Sequence, residues 1–210
     1  MKNIVHKHKA FWFQKESLIQ GLVGLLLLFV SLFVNYYANI YASISASNVA
    51  TDIILDNLPV VDMSFIFIYG ALAFLVVLAS LLIYEPKYIP FVLKSISLFL
   101  VVRSFFMILT HLAPPVAGTP GYGIDGLSIV SSGDDLFFSA HTGLPFMLSL
   151  VYWNRGFWRW FFLASTFVGA ISVLLGHLHY SIDVFAAFFI AFGIYRISLS
   201  IFKKDYELFA

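Results

Sequence analysis

The sequence predicts an all-α integral-membrane protein, a bundle of six transmembrane helices with both termini in the cytoplasm. Three observations support this fold class. Of the 210 residues, 61% are hydrophobic and 11% are charged, whereas about a quarter of the residues in a soluble domain are charged. The apolar residues form long runs, which divide the chain into about six spans of about 20 residues. Lysines and arginines lie beside alternate ends of these runs.

The apolar runs predict the helices in chain order. They extend over Leu18–Tyr37, Met63–Tyr84, Phe91–Leu112, Leu136–Trp153, Phe157–Leu175 and Tyr180–Phe202. Open strand edges cannot be satisfied in lipid, and barrel strands would alternate in polarity, so each run is expected to be a helix. We therefore expect one domain, with a basic cytoplasmic segment at 1–17, a six-helix core at 18–202 and a cytoplasmic tail at 203–210.

The positive charges predict the orientation. They precede the first run, separate the second from the third and the fourth from the fifth, and end the chain: Lys2, Lys7, Lys9, Lys15, Lys87, Arg155, Arg159, Arg196, Lys203 and Lys204. The other three connections, at 38–62, 113–135 and 176–179, contain no lysine or arginine. By the positive-inside rule, both termini are expected in the cytoplasm. The four tryptophans fall at the same boundary, as an interfacial aromatic belt would.

Other ionisable residues collect at the opposite, extracytoplasmic end. They are His111, His141, His177, His179, Asp52, Asp56, Asp62, Asp125, Asp134, Asp135 and Asp183. Arg103 lies in the third run, about 12 Å of helix from His111. An arginine inside a membrane is costly unless it meets a partner, so a functional role is expected for Arg103. Lys94 is close enough to the cytoplasmic end of the same run for its ammonium to snorkel into water.

The most informative pattern is HLHYSID near the last run. His179 and Asp183 are four residues apart and therefore share one face of a helix. A carboxylate bonded to one imidazole nitrogen sets the tautomer and leaves the other nitrogen as a nucleophile or base. The alternative is a buried polar pair that only satisfies itself, but an ionisable pair in a membrane helix favours function. His177 is out of phase with Asp183, so a loop contact is expected for it.

A second pattern, DDLFFSAHT, precedes the fourth run. It places His141 at or just before a helix start that Thr142 is suited to cap. Free amides at a helix start favour anions, so His141 would lie beside a site suited to phosphate. The alternative is a longer helix that begins near Leu136 and is kinked at Pro145.

Two other functions compete for these residues. Zinc binding would use the histidines and aspartates, but HLHYSID lacks two histidines four apart and the chain has no cysteine, so no metal is expected. A proton-coupled transporter would also place ionisable pairs in the membrane, although more polar residues than Arg103 would then be expected in the middle spans. The net charge of +1 gives no electrostatic reason to expect a nucleic-acid partner.

Four stretches of the chain resemble the sphingomyelin synthase branch of the type 2 phosphatidic acid phosphatase superfamily. They are LPVVD at Leu58–Asp62, RSFFMILTHLAPP at Arg103–Pro115, GDDLFFSAHT at Gly133–Thr142 and HLHYSIDV at His177–Val184. The resemblance implies six helices and a catalytic triad of His141, His179 and Asp183. It also implies that the partners are the lipid bilayer, a phospholipid donor and a lipid alcohol or water as acceptor, with no cofactor.

The chain departs from the wider superfamily in its cations. Val173 stands where that superfamily carries an arginine, and Lys94 and Arg103 do not have the spacing of its first motif. A phosphomonoester dianion wants several positive partners, whereas a phosphodiester carries one charge and suits Arg103 with helix amides. The departure therefore favours a phospholipid headgroup as the transferred group.

These residues predict a two-step transfer at the extracytoplasmic face. His179, oriented by Asp183, attacks phosphorus to form a phosphohistidine while His141 protonates the departing lipid oxygen. Arg103 is expected to bind the phosphate. Asp134 and Asp135 are candidates for contacts with a cationic amine headgroup. A lipid alcohol as acceptor makes the protein a phosphotransferase and water makes it a lipid phosphatase, and the sequence leaves both open.

Overall fold

The computed structural model describes residues 2–115 and 137–209. Those residues form α-helices and short 3₁₀ and π turns, and they contain no strand. The helices are α1 Lys2–Trp12, α2 Lys15–Ser45, α3 Ala71–Tyr84, α4 Ile89–Leu109, α5 Ala140–Val151, α6 Gly156–Leu175, α7 Ser181–Ile201 and α8 Lys203–Tyr206. A π turn, Ile66–Gly70, leads directly into α3. The all-α prediction is confirmed for this part of the chain.

Five helices in the described ranges are long and apolar enough to cross a membrane. They are Lys15–Ser45, Ile66–Tyr84, Pro86–Leu109, Gly156–Leu175 and Ser181–Ile201. They correspond to every predicted run except the fourth. That run yields α5, whose 12 residues extend about 18 Å against a hydrocarbon core of about 30 Å. The protein is therefore an integral-membrane protein whose described residues are helical and include five candidate spans. The fourth predicted span is a short helix in these residues, so the predicted count of six is not confirmed.

The start of α5 differs from both sequence-based alternatives. Ser139 occupies the N-cap position, and the two phenylalanines before it are not helical. Thr142 lies inside the first turn, where its hydroxyl donates to the Ser139 hydroxyl over 3.3 Å. The prediction that Thr142 caps the helix is wrong, as is a helix beginning near Leu136, because the chain turns into the helix at Ser139.

The helices pack in two groups that meet at α4. The α2 helix lies against α4, and α5 contacts both α6 and α7. Phe99 and Met147 are fully buried between these groups. The opposite faces carry exposed apolar side chains such as Phe29 and Phe189, which are 69% and 81% exposed. Apolar surface on this scale suits contact with lipid.

The first and last described helices, α1 and α8, lie at one end of the bundle, where Lys7 pairs with Glu85 and Lys94 with Asp205, and we call it the terminal end. There the ammonium of Lys94 is 2.5 Å from a carboxylate oxygen of Asp205 and donates to Gln20 over 2.5 Å. Lys94 is 3% exposed, so the prediction that it snorkels into water is wrong. Its partner comes from α8, beyond the last predicted span, and the pairing forms because an unpaired buried ammonium would be costly.

The opposite end of the bundle, which we call the histidine end, is closed by the connections at 46–63, 110–115, 137–139 and 176–180. The Ser47 amide donates to the His111 carbonyl over 2.9 Å, and the Ala113 amide donates to the Asn48 carbonyl over 3.0 Å. The connection after α2 is also bonded to the connection before α7, because the Ala50 amide donates to the Tyr180 hydroxyl. These bonds place the sequence-predicted histidines at one end, away from the termini.

Candidate active site

The HLHYSID segment reaches the site through a tight turn at the end of α6. The Leu178 amide donates to the Val173 carbonyl and the His177 amide to the Leu174 carbonyl, over 2.9 and 3.1 Å. This pair of bonds is a Schellman motif, and its left-handed position is held by His177 with φ 50°. His177 is buried, and in the described part of the chain its Nε2 has no hydrogen-bond partner. The turn reverses the chain, so α7 begins beside the end of α6.

His179 and Asp183 are brought together, but the prediction that they share one face of a helix is wrong, because α7 begins at Ser181 and His179 lies in the turn before it. The Nδ1 atom of His179 lies 3.4 Å from Oδ2 of Asp183, and both side chains are buried. This separation is long for an N–H···O hydrogen bond. The same Oδ2 accepts the Tyr180 amide over 3.0 Å. Asp183 therefore serves both the imidazole and the start of its own helix.

His141 is the second residue of α5, in agreement with the prediction that it lies at a helix start. The Phe67 ring packs nearly face-on against its imidazole, with centroids 4.0 Å apart and an angle of 30°. Phe67 belongs to the π turn before α3, and such turns are frequent at functional sites. The backbone of Gly169 in α6 lies directly against the carbonyl of His141. The position of His141 is therefore set by two other helices.

Backbone contacts join Arg103 and the starts of α5 and α7. The Arg103 Nε donates to the Phe138 carbonyl over 2.9 Å, and its Nη1 lies 3.1 Å from the Met107 sulfur. The next residue, Ser139, donates its amide to the backbone carbonyl of Asp183 over 3.2 Å. Arg103 is 2% exposed and therefore buried. We call the part of the histidine end that is formed by Arg103, Phe138, Ser139 and Asp183 the corner.

His111, another histidine of the histidine end, is not part of this corner. His111 is exposed and packs edge-on against Tyr41, with ring centroids 5.8 Å apart. Asp134 and Asp135, the predicted headgroup contacts, lie outside the described residues. Within the described residues, no group of three histidine, aspartate or glutamate side chains is arranged to hold a metal ion.

Sequence reasoning gave no individual role to Asp52, although it contacts the site helix. Its Oδ1 accepts the amides of Ile54 and Leu55 over 2.9 and 3.2 Å, and its Oδ2 accepts the Ser181 amide over 2.6 Å. Burial tends to raise the pKa of Asp52, but the amides of Ser181, Leu55 and Ile54 outweigh burial and lower it below 3.8. An aspartate before a short helical turn is a local sequence signal for the bonds to Ile54 and Leu55. The bond to the distant Ser181 amide has no such signal.

Phe67 and Gly169 were also missed. Phe67 reads as one more apolar residue of the second run, and Gly169 as a tolerated glycine in the fifth run. Their importance comes from contacts between helices that are far apart in the chain. A face-on aromatic ring or a glycine against a backbone has no local signature.

A buried histidine–carboxylate pair and a buried arginine at the same end of a helical membrane protein suit chemistry on a phosphate ester. Residues 133–200, about a third of the chain, match the family model described as PAP2 superfamily C-terminal. The match supports placing the protein in the type 2 phosphatidic acid phosphatase superfamily, with a general activity of lipid phosphatase or phosphotransferase. No curated protein and no solved structure gave a significant match.

Proposed function

We propose that the protein is an integral-membrane phosphotransferase of the sphingomyelin synthase kind. It moves a phosphoryl group or phospho-headgroup from a phospholipid to a lipid alcohol through a phosphohistidine. The observation that carries the proposal is the buried His179–Asp183 pair at the start of α7, with Nδ1 and Oδ2 3.4 Å apart. The segment that matches the superfamily contains both residues.

The first step forms a bond from His179 to phosphorus. Asp183 faces Nδ1, so the proton resides on Nδ1 and the lone pair on Nε2 attacks. As the N–P bond forms, the bond from phosphorus to the donor lipid oxygen breaks, and His141 gives its proton to that oxygen. Asp183 stabilises the positive charge that develops on the imidazole.

The second step returns both histidines to their initial states. The acceptor hydroxyl gives its proton to His141 as its oxygen attacks phosphorus, and the bond from phosphorus to His179 breaks. The phospho group is thereby transferred to the acceptor, and the enzyme neither gains nor loses a proton over the two steps. The Phe67 ring against His141 suits this cycle, because an aromatic face stabilises the imidazolium form.

The cations of the described site favour a phosphodiester as donor. Arg103 is buried in the corner, whereas Val173, at the position of the superfamily arginine, is fully buried in an apolar cluster with Ala170 and Val184. One guanidinium and the amides at the start of α5 match a single negative charge. A phospholipid headgroup is therefore the proposed transferred group.

The second candidate is a lipid phosphate phosphatase, in which water takes the place of the acceptor alcohol. The superfamily match is compatible with it, because that match supports both kinds of enzyme equally. Both would act at the histidine end. We place that end at the extracytoplasmic face, because the lysines and arginines of the connections lie at the terminal end.

The purified protein in detergent micelles tests these candidates. Labelled phosphatidic acid, phosphatidylcholine and phosphatidylethanolamine are each supplied with and without ceramide or diacylglycerol. Headgroup transfer to the added alcohol supports the phosphotransferase, and free phosphate from phosphatidic acid supports the phosphatase. If no lipid yields a product, both are wrong and a proton-coupled transporter becomes the better hypothesis.

The His179→Ala variant tests the proposed nucleophile, with His111→Ala as the matched control. His111 is exposed and lies outside the corner that holds the pair. We expect His179→Ala to abolish turnover and the acid-labile phosphate bound to the protein, while it elutes in detergent as the wild type does. Full activity in His179→Ala, or an equal loss in His111→Ala, would remove His179 from the mechanism.

A further inference from the structure

A second carboxylate from a distant loop contacts the helix that carries the proposed nucleophile. Asp52 lies between α2 and the π turn, yet its Oδ2 accepts the Ser181 amide over 2.6 Å. Ser181 is the first residue of α7 and follows His179 by two positions. Asp52 is 9% exposed, so its carboxylate is largely removed from water. It is held there as an ion because it accepts three backbone amides.

The first amides of a helix lack partners within the helix and need acceptors from elsewhere. At the start of α7 two carboxylates share this task. Asp183 accepts the Tyr180 amide over 3.0 Å, and Asp52 accepts the Ser181 amide. Without Asp52, the Ser181 amide would lose its acceptor, and the Asp183 carboxylate, which already accepts the Tyr180 amide, is the other carboxylate bonded to this turn. It would then be drawn toward those amides and away from the imidazole of His179.

A second bond fastens the same loop to the same segment. The Tyr180 hydroxyl accepts the Ala50 amide over 3.0 Å and donates to the Ala113 carbonyl over 2.8 Å. Tyr180 is 2% exposed. The loop is therefore bonded to the residues just after His179 at two points, Ala50 and Asp52. This double attachment fixes the backbone from which His179 projects.

We infer that Asp52 is a positioning residue for the His179–Asp183 pair: it binds the Ser181 amide and so leaves the Asp183 carboxylate directed at His179. The inference rests on the proposed function. It predicts a defect in turnover with little change in substrate binding. A residue that only stabilised the fold would instead lower the amount of folded enzyme and leave each folded molecule fully active.

The test compares Asp52→Asn with Asp56→Asn in the full-length protein in detergent. Asp56 lies in the same loop and is exposed, so it controls for the loss of one loop charge. For Asp52→Asn we expect kcat per folded molecule to fall at least about tenfold, with KM changed by less than about twofold. Asp56→Asn is expected to match the wild type. If kcat of Asp52→Asn equals that of the wild type, the inference is wrong.

Two further measurements keep the test decisive. Tyr180→Phe removes the hydroxyl that accepts the Ala50 amide and retains the ring. We expect the same fall in kcat at constant KM, and this variant can be measured even if Asp52→Asn does not fold. Amide hydrogen exchange at 180–182 is expected to rise in Asp52→Asn and not in Asp56→Asn. Hydrogen exchange can be measured without enzyme activity. An inactive wild type would therefore refute the proposed function, and exchange would still test the contact between Asp52 and Ser181. Unchanged exchange in Asp52→Asn would overturn the inference.

Discussion

The backbone of Gly169 in α6 lies directly against the carbonyl oxygen of His141 in α5, so that a Cβ on Gly169 would overlap this oxygen. Pro145 lies four residues after His141 and has no amide hydrogen to donate to that carbonyl. The proline and the glycine together allow the two helices to meet at the candidate acid. His141 is therefore positioned through its main chain.

Gly169→Ala is expected to displace His141 and to lower kcat by about 100-fold, because small shifts of a catalytic group have effects of that size. The obstacle is backbone, which cannot rotate away as a side chain can. Gly193→Ala in α7 is the control, since its added Cβ would meet nothing within 4 Å. Kinetics on both variants, with elution volume as a check of folding, make the comparison. Normal activity in Gly169→Ala would show that the position of His141 does not matter.

Phe67→Leu is expected to lower kcat about fivefold to tenfold, because the leucine removes the aromatic face that stabilises the imidazolium. Phe67→Tyr keeps the face and should retain most of the activity. Phe65, which is 74% exposed on the same helix, provides the control substitution Phe65→Leu. Equal losses in Phe67→Leu and Phe67→Tyr would contradict a role for the aromatic face.

Arg103→Lys and Arg103→Gln are both expected to lose most of the turnover. Lysine lacks the planar fork and glutamine lacks the charge, and neither reproduces the Nε bond to the Phe138 carbonyl. Arg196→Gln, at an exposed position near the end of α7, controls for loss of an arginine. Turnover is measured beside thermal stability. An active Arg103→Gln enzyme would exclude Arg103 from phosphate binding.

Lys94→Met is expected to destabilise the protein by about 3–5 kcal/mol, because it leaves the buried Asp205 carboxylate unpaired. The double variant Lys94→Met, Asp205→Leu should recover most of the loss. Lys203→Met is the control, since its pair with Glu207 is exposed and such pairs contribute little. Unfolding in denaturant compares the variants. A double variant as unstable as Lys94→Met would contradict the pairing.

The stabilising effect of Asp52 is expected to disappear in acid. Its pKa is lowered in the folded protein from an ordinary value of 3.8, so the folded state favours the ionised form. Its contribution to stability is therefore complete above about pH 4 and is lost as the pH falls through the folded pKa. The difference in Tm between wild type and Asp52→Asn should be the same at pH 7 and 5 and should shrink below pH 4. A difference that persisted unchanged in acid would mean that Asp52 acts without its charge.

Much of the fold follows from local pattern. Apolar runs long enough to span a bilayer leave the backbone no choice but helix, so five of the predicted runs correspond to the candidate spans. The prediction that the fourth run spans the membrane is not confirmed, because a run of apolar residues does not reveal where the first helical turn begins. Ser139 is the N-cap of α5, and its amide donates to the carbonyl of Asp183, 44 positions along the chain.

The sequence by itself determined the membrane class and the gathering of histidines at one end, because both depend on long apolar runs and on the cost of charge in lipid. It also predicted that His179 pairs with Asp183, but on one helix face, whereas the structure pairs them across the start of α7. The tertiary structure alone decided what surrounds that pair. The bond from Asp52 to Ser181, the Phe67 ring on His141 and the Lys94–Asp205 pair join distant segments. Such contacts form because buried amides, rings and charges must find partners wherever the packed helices supply them.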